Sequence, residues 1–304
     1  MSGFLSFLIT GVSLGSIYAL IALGYTMVYG IAKMLNFAHG DVIMIGGYVV
    51  LTVMTGLSSA LSGAGMSEGA VFAVAVLSAI LAGILVCIIL GVSMEKIAYK
   101  PLRNTSPLTV LITAIGVSYF LQNLALLIFG SAAKSFKSVV PQFMVAGKIS
   151  GETIVTIAVS IVIMIALTWF VNCTKTGKSM RAVSEDKGAA QLMGINVNKT
   201  ISITFAIGSG LAAVASVLLC STYPQISPYT GAMPGIKAFT AAVFGGIGSI
   251  PGAMLGGVLL GVIESLSKAY ISSQMSDAIV FAVLIIVLLV KPTGLLGKKI
   301  NEKV

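Results

Sequence analysis

Charge is what this 304-residue sequence has least of: 9% of its residues are Asp, Glu, Lys or Arg, against 57% hydrophobic. Soluble domains carry about 25% charged residues, and so few could not keep a surface this apolar from aggregating. A soluble enzyme, a nucleic-acid binder and a disordered chain are excluded together. The sequence has one histidine and three cysteines, Cys87, Cys173 and Cys220, at no metal-site or disulfide spacing. Cys87 and Cys220 lie in apolar runs, where a thiol packs as a small hydrophobe. No basic residue precedes the first apolar run within residues 1–10, so this stretch is a poor secretory signal and reads as a retained span. What the chain does have is long uncharged runs, the mark of a polytopic membrane protein.

A helix crossing about 30 Å of hydrocarbon needs about 20 mostly apolar residues. Such runs fall at 4–29, 42–57, 70–93, 108–129, 153–172 and 201–222, with a last one at 278–290. A Gly-rich stretch, 238–266, is long enough for two short crossings broken near Ile250-Pro251-Gly252. Only helices satisfy their own backbone groups in lipid at these lengths. The expected fold is all-α, a transmembrane bundle of eight to nine crossings. Small residues at four-residue spacing, Gly11 with Gly15, Gly252 with Gly256 and Gly257 with Gly261, suit close helix packing.

Basic residues set the orientation. With the N-terminus outside and nine crossings, the inner segments hold thirteen: Lys33, Lys96, Lys100, Arg103, Lys175, Lys178, Arg181, Lys187, Lys199, Lys291, Lys298, Lys299 and Lys303. The outer side keeps five, Lys134, Lys137, Lys148, Lys237 and Lys268. The positive-inside rule favours this arrangement and a cytoplasmic C-terminus.

Thr176-Gly177-Lys178-Ser179 carries the end of a phosphate-binding loop, but Asn172 stands where its first glycine belongs, and the segment follows a membrane span rather than a strand. ATP binding by this chain is not expected. The inner stretch that follows reads as a short amphipathic helix. Ser184 is placed to cap its start, Glu185 and Asp186 lie at the positive end of its dipole, Ala189, Leu192 and Met193 recur at helical spacing, and Gly194 stops it. Such a helix can insert into a groove on a partner or lie at the lipid headgroups.

Polar groups at membrane depth are few. Asn36-Phe37-Ala38-His39-Gly40-Asp41 holds the histidine and a carboxylate beside the second span, and Glu264 lies in the return arm of the Gly-rich hairpin. Ionisable groups in a membrane are functional candidates by default. Two structural alternatives stand beside that reading: His39 as a helix cap, and Glu264 paired with Lys268 at i,i+4. Neither a nucleophile–base pair nor a metal cluster is evident, so transport is the better class, without cofactor or metal.

The stretches Asn36 to Asp41, Arg181 to Gly194 and AFTAAVFGGIGSIPGAMLGGVLLG at 238–261 resemble the LivH-type permeases of bacterial branched-chain amino acid ABC importers. The resemblance spans nearly the whole chain. It implies a single permease domain over residues 1–304 in the bacterial inner membrane, with no ATPase motif of its own. The partners it implies are a second, LivM-type permease, two cytoplasmic ATPases and an extracytoplasmic substrate-binding protein. ABC permeases carry an E-A-A-x-x-x-G loop that docks on the ATPase. Here Ala189-Ala190-x-x-x-Gly194 keeps its spacing, while Gly188 replaces the glutamate. The resemblance thus assigns ATPase coupling to a segment at about 174–199, with Arg181, Ser184, Glu185, Asp186, Ala189, Ala190 and Gly194. Asn36, His39, Asp41, Gly245, Gly246, Gly248, Pro251 and Glu264 are candidates for the translocation path. The outer segments 131–151 and 223–235 are candidates for receiving the binding protein. An ion-coupled carrier or channel for a small amino acid or amide is the alternative, since the broken hairpin could hold an ion.

Overall fold

A computed structural model of the chain describes residues 2–63, 67–103, 105–140, 143–145 and 149–297. Lys148, Lys298, Lys299 and Lys303, used above to orient the chain, lie outside the described residues. The chain forms α1 (Ser2–Ala32), α2 (His39–Ser62), α3 (Glu68–Met94), α4 (Pro107–Phe129), α5 (Gly151–Cys173), α6 (Lys175–Glu185), α7 (Lys187–Leu192), α8 (Val197–Thr222), α9 (Ala232–Gly245), α10 (Ile250–Tyr270) and α11 (Ser276–Val290). A π-helical turn, Glu95–Tyr99, and a 3₁₀ turn, Lys100–Leu102, prolong α3. The strands are two-residue pieces: β1 (Lys134–Ser135), β2 (Met144–Val145), β3 (Ile149–Ser150) and β4 (Gln225–Ile226). The chain is a polytopic helical bundle, as its apolar runs require.

Among the described residues, seven helices are long and apolar enough to cross a membrane, and α11 is a shorter apolar helix. The expected eight to nine crossings approximate this set. The Gly-rich stretch differs in detail from two equal short crossings. Its break falls at residues 246–249, before Pro251, leaving a 14-residue α9 and a 21-residue α10. At 1.5 Å per residue, α9 is only about 21 Å long. Pro251 lies in the first turn of α10, where a missing N–H costs nothing. The break itself is made by Gly246 (φ +107°) and Gly248 (φ +93°), a backbone region open to glycine.

Contacts divide the chain into two compact units. The first comprises Met1–Leu35, Gln142–Thr204 and Ile236–Val304. Its spine is α1 against α10, where glycines let two backbones touch. A Cβ on Gly15 would meet Val258 Cα at 2.7 Å, and one on Gly257 would meet Ala19 Cα at 2.5 Å. Gly261 lies against Gly15 and Gly11. Gly256, on another face of α10, lies against Ala241 and Gly245 of α9. The small-residue spacing seen in the sequence therefore serves two different neighbours.

The second unit comprises Asn36–Pro141 and Phe205–Gly235. Its core gathers Met44, Tyr48, Val50, Ala75, Ala79, Cys220 and Ile226. Tyr48 stacks on Phe129 with ring centroids 4.0 Å apart. Within this unit β1 pairs antiparallel with β4, and Phe136 N–H donates to the Pro224 carbonyl at 3.0 Å. Parts of the two outer segments singled out in the sequence are thus hydrogen-bonded to each other.

Candidate functional site

The segment 174–199 forms two helices rather than one. Thr174 Oγ1 accepts from Gly177 N–H at 3.0 Å and caps α6. This encloses Thr176-Gly177-Lys178-Ser179 in a helix, with Gly177 pressed against the backbone of Phe170 and Val171. The turn after α6 is capped by Asp186, whose Oδ1 accepts from Ala189 N–H at 3.0 Å and starts α7. Ser184 is therefore not the cap expected from the sequence. It lies in the last turn of α6, and its Oγ donates to the Arg181 carbonyl at 2.7 Å. The reason is competition: Asp186 adopts the extended backbone that a cap needs (φ −152°, ψ 116°), while Ser184 is helical. Glu185 ends α6 instead of opening a helix. Gly194, at φ +79°, stops the segment as expected.

The large apolar side chains at the end of α7 do not face the protein. Ala190 is buried, whereas Ala189 is exposed and Leu192 and Met193, just after it, are 90% and 81% exposed. Two large apolar side chains at the tip of a capped helix form a knob without a hole. Lys187 and Arg181 fix its base. Lys187 Nζ donates to the Ala32 carbonyl at 3.0 Å, neutralising the end of α1, and Arg181 reaches the Asn172 carbonyl at 3.3 Å.

The polar groups that the sequence places at membrane depth separate into two clusters, one in each unit. Within the second unit, Tyr99 Oη donates to Asn36 Oδ1 at 2.7 Å, and Gln122 Nε2 donates to Asp41 Oδ1 at 2.9 Å. Asn36, His39, Asp41 and Tyr99 are all buried. His39 does not cap α2 through its side chain. It is the first helical residue, and Ala38 precedes it as the cap position without a side-chain bond. Glu95 is also buried here, paired with Arg103.

Within the first unit, Glu264 is 1% exposed and accepts three donors. Lys268 Nζ lies 2.6 Å and Lys237 Nζ 2.8 Å from Oε1, while Tyr18 Oη donates to Oε2 at 2.9 Å. Lys237 also pairs with Asp277 at 2.6 Å. The i,i+4 partner Lys268 was legible in the sequence; Lys237 was not. Read as an outer-segment residue, it is in fact buried inside α9. The only hint was an isolated lysine between Pro234-Gly235 and an apolar run. Gly245, Gly246, Gly248 and Pro251 lie together at the α9–α10 break, where Gly245 meets Gly252. Among the described residues, no three His, Cys, Asp or Glu side chains are grouped as a metal site.

The sequence can be set beside known proteins. A family model described as "Branched-chain amino acid transport system / permease component" matches residues 7–288. The high-affinity branched-chain amino acid transport system permease protein LivH of Escherichia coli (strain K12) is 47% identical, covering 99% of this chain and 98% of that protein. The corresponding permease protein BraD of Pseudomonas aeruginosa is 46% identical with the same coverage. A probable branched-chain amino acid transport permease protein LivH of Methanocaldococcus jannaschii is 29% identical over 93% of this chain and 89% of its own length. A charge-poor helical bundle with a glycine-broken α9–α10 pair, matched end to end by such relatives, belongs to the permease component family of branched-chain amino acid transport systems.

Proposed function

We propose that this chain is the membrane-embedded permease subunit of an ATP-driven importer that carries Leu, Ile or Val across the bacterial inner membrane. The observation that carries the reading is 47% identity over 99% of the chain to a LivH permease. The proposed assembly adds a second, LivM-type permease, two cytoplasmic ATPases and an extracytoplasmic binding protein. The 1–304 chain serves as one permease domain, with its C-terminus in the cytoplasm and no ATPase of its own.

The α6–α7 segment is the proposed coupling element. Leu192 and Met193 fill an apolar groove on the ATPase, and Asp186 and Gly194 fix the shape of the knob. Arg181, Glu185, Ala189 and Ala190 supply its flanks, with Ser184 bracing α6. ATP binding closes the ATPase pair and moves this knob, which rocks the spans around a central path. Each ATPase state must bind one permease conformation more tightly than the other, since only differential binding shifts an equilibrium. Asn36, His39, Asp41, Gly245, Gly246, Gly248, Pro251 and Glu264 are the proposed path residues. The paired outer segments at 134–135 and 225–226 offer the binding protein a docking surface.

Transport of radiolabelled leucine into vesicles containing the reconstituted assembly tests this function. Uptake should require ATP and the binding protein and survive ionophores. Uptake that collapses with ionophores and ignores ATP would give the chain to the ion-coupled carriers instead. For the coupling element, a Leu192→Ser/Met193→Ser double variant should fold normally yet lose the ATPases in a pull-down. It is a cleaner probe than Asp186, whose replacement removes a helix cap worth about 0.5–2 kcal/mol.

A further inference from the structure

Thr26 is 1% exposed, and its Oγ1 has no hydrogen-bond partner among the described residues. This is unusual for its helix. Thr10 and Ser16 on α1 each donate to the carbonyl four residues earlier, at 3.0 and 2.8 Å. A buried hydroxyl left unsatisfied costs about 1–3 kcal/mol. Thr26 lines a cavity of about 80 Å³ within the first unit, far above the roughly 10–15 Å³ that one water needs. Met27, Ile31, Val171, Met180 and Ile250 form apolar walls, and Arg181 and Ser184 join Thr26 as its polar lining.

The electrostatics of the cavity favour an anion. Arg181 has five N–H donors, of which the Asn172 carbonyl takes one. Ile250 is the first residue of the 21-residue α10, so the positive end of that helix dipole opens at the wall. The negative end of α1, whose Gly30 and Ile31 also line the cavity, is neutralised by Lys187. Lys175, Lys178 and Arg181 recur along the exposed side of α6, while Gly177, Met180 and Val183 are buried on the other. Trp169, the single tryptophan, is 63% exposed one turn before the end of α5, a position that suits the membrane–water interface. With Val171 from the same end of α5 in its lining, this basic, half-apolar cleft fits an amphiphile better than a soluble ion.

We infer that the cavity between α1, α6 and the α9–α10 break binds the phosphate-bearing headgroup of an anionic phospholipid. Arg181 holds the phosphate, Thr26 donates to a headgroup oxygen, and the apolar walls receive the start of the glycerol backbone. Because α6 leads directly into α7, an occupied site would hold the base of the coupling knob. The leaflet, the cytoplasmic one, rests on the orientation proposed above; binding itself does not.

Thermal unfolding of the purified full chain in mild detergent, titrated with phosphatidylglycerol, phosphatidylcholine or inorganic phosphate, tests the site without ATPases or transport. Phosphatidylglycerol should raise the midpoint in a saturable way, and phosphatidylcholine should not. Arg181→Gln should weaken the apparent affinity about tenfold, the scale of one charge-assisted hydrogen bond. Thr26→Val, which keeps the shape and removes the hydroxyl, should weaken it several-fold. Lys199→Gln, exposed and outside the cavity, should leave it unchanged. If Arg181→Gln does not fold, Thr26→Val decides alone. Equal shifts with phosphatidylcholine, or an unchanged response in Thr26→Val, would overturn the site. Saturation by inorganic phosphate alone at equal affinity would overturn the lipid assignment. Failure of ATP-driven uptake with this binding intact would count against the proposed function only.

Discussion

Glu264 and Asp41 are both buried carboxylates on helices apolar enough to cross a membrane, yet they are held in opposite ways. Glu264 receives two ammonium groups and a tyrosine hydroxyl, and one of those lysines continues to Asp277. Asp41 receives the neutral amide of Gln122, and among the described residues it joins no ion pair. Charge brought out of water must be compensated to be tolerated. The first cluster is closed on itself and ties together α1, α9, α10 and α11. The second leaves a carboxylate whose compensation comes from dipoles alone. A buried charge that the fold has fully paired is doing structural work; one held by neutral donors is the better candidate for function.

The largest expected effect comes from opening the closed cluster. Glu264→Ala leaves Lys237 buried with half its counter-charge and should destabilise the chain by about 3–5 kcal/mol. A lower unfolding midpoint and poor recovery from detergent would report it. Glu264→Gln combined with Lys237→Met should recover much of the loss, because the unpaired ammonium disappears with its partner.

Packing provides the next test, since Tyr18 reaches Glu264 only because α1 and α10 touch. Gly257→Val places a side chain against the Ala19 backbone and should cost at least about 1–3 kcal/mol. Gly116→Ala on α4 is the control: nothing lies within 4 Å of its added Cβ, and helix propensity predicts a gain of about 0.5–1 kcal/mol. Equal effects at the two glycines would remove close backbone contact as the reason for the seam.

Tyr18→Phe deletes a single neutral donor to the Glu264 carboxylate and should cost about 1.5–3 kcal/mol in the same melt. The smallest effect on stability is expected at Asp41→Asn, which keeps an acceptor for Gln122 and should shift stability by less than about 1 kcal/mol. Leucine uptake is its informative readout. A large loss of uptake with normal folding would sharpen the contrast with Glu264, and normal uptake would abolish it.

Much of the molecule is readable without coordinates. Charge scarcity and run length give an all-helical membrane bundle because an unsatisfied backbone is intolerable in lipid. The glycine spacing on α1 and α10 announces close packing because a missing Cβ has no other use at regular intervals. Lys268 follows from helix geometry, four residues after Glu264. Gly194 as a helix stop follows from backbone sterics. Each of these depends on neighbours in sequence or on the solvent, and none requires knowing which helix meets which.

Other features needed the tertiary structure because they depend on distant partners. Lys237 reads as a loop lysine until α9 is brought beside α10 and α11, and nothing local distinguishes it. Ser184 and Asp186 are both competent caps by residue type. Only the backbone, which keeps Ser184 helical and extends at Asp186, chooses between them. Sequence places the break in the Gly-rich stretch at its proline, but proline is at ease in a first helical turn, and the bend is made by the glycines before it. Leu192 and Met193 lie on an apolar helical stripe that the sequence assigns to a partner or to the lipid headgroups, and the fold leaves both exposed. Periodicity says that a face is apolar. Whether the protein itself or a partner covers that face depends on contacts between residues far apart in the chain.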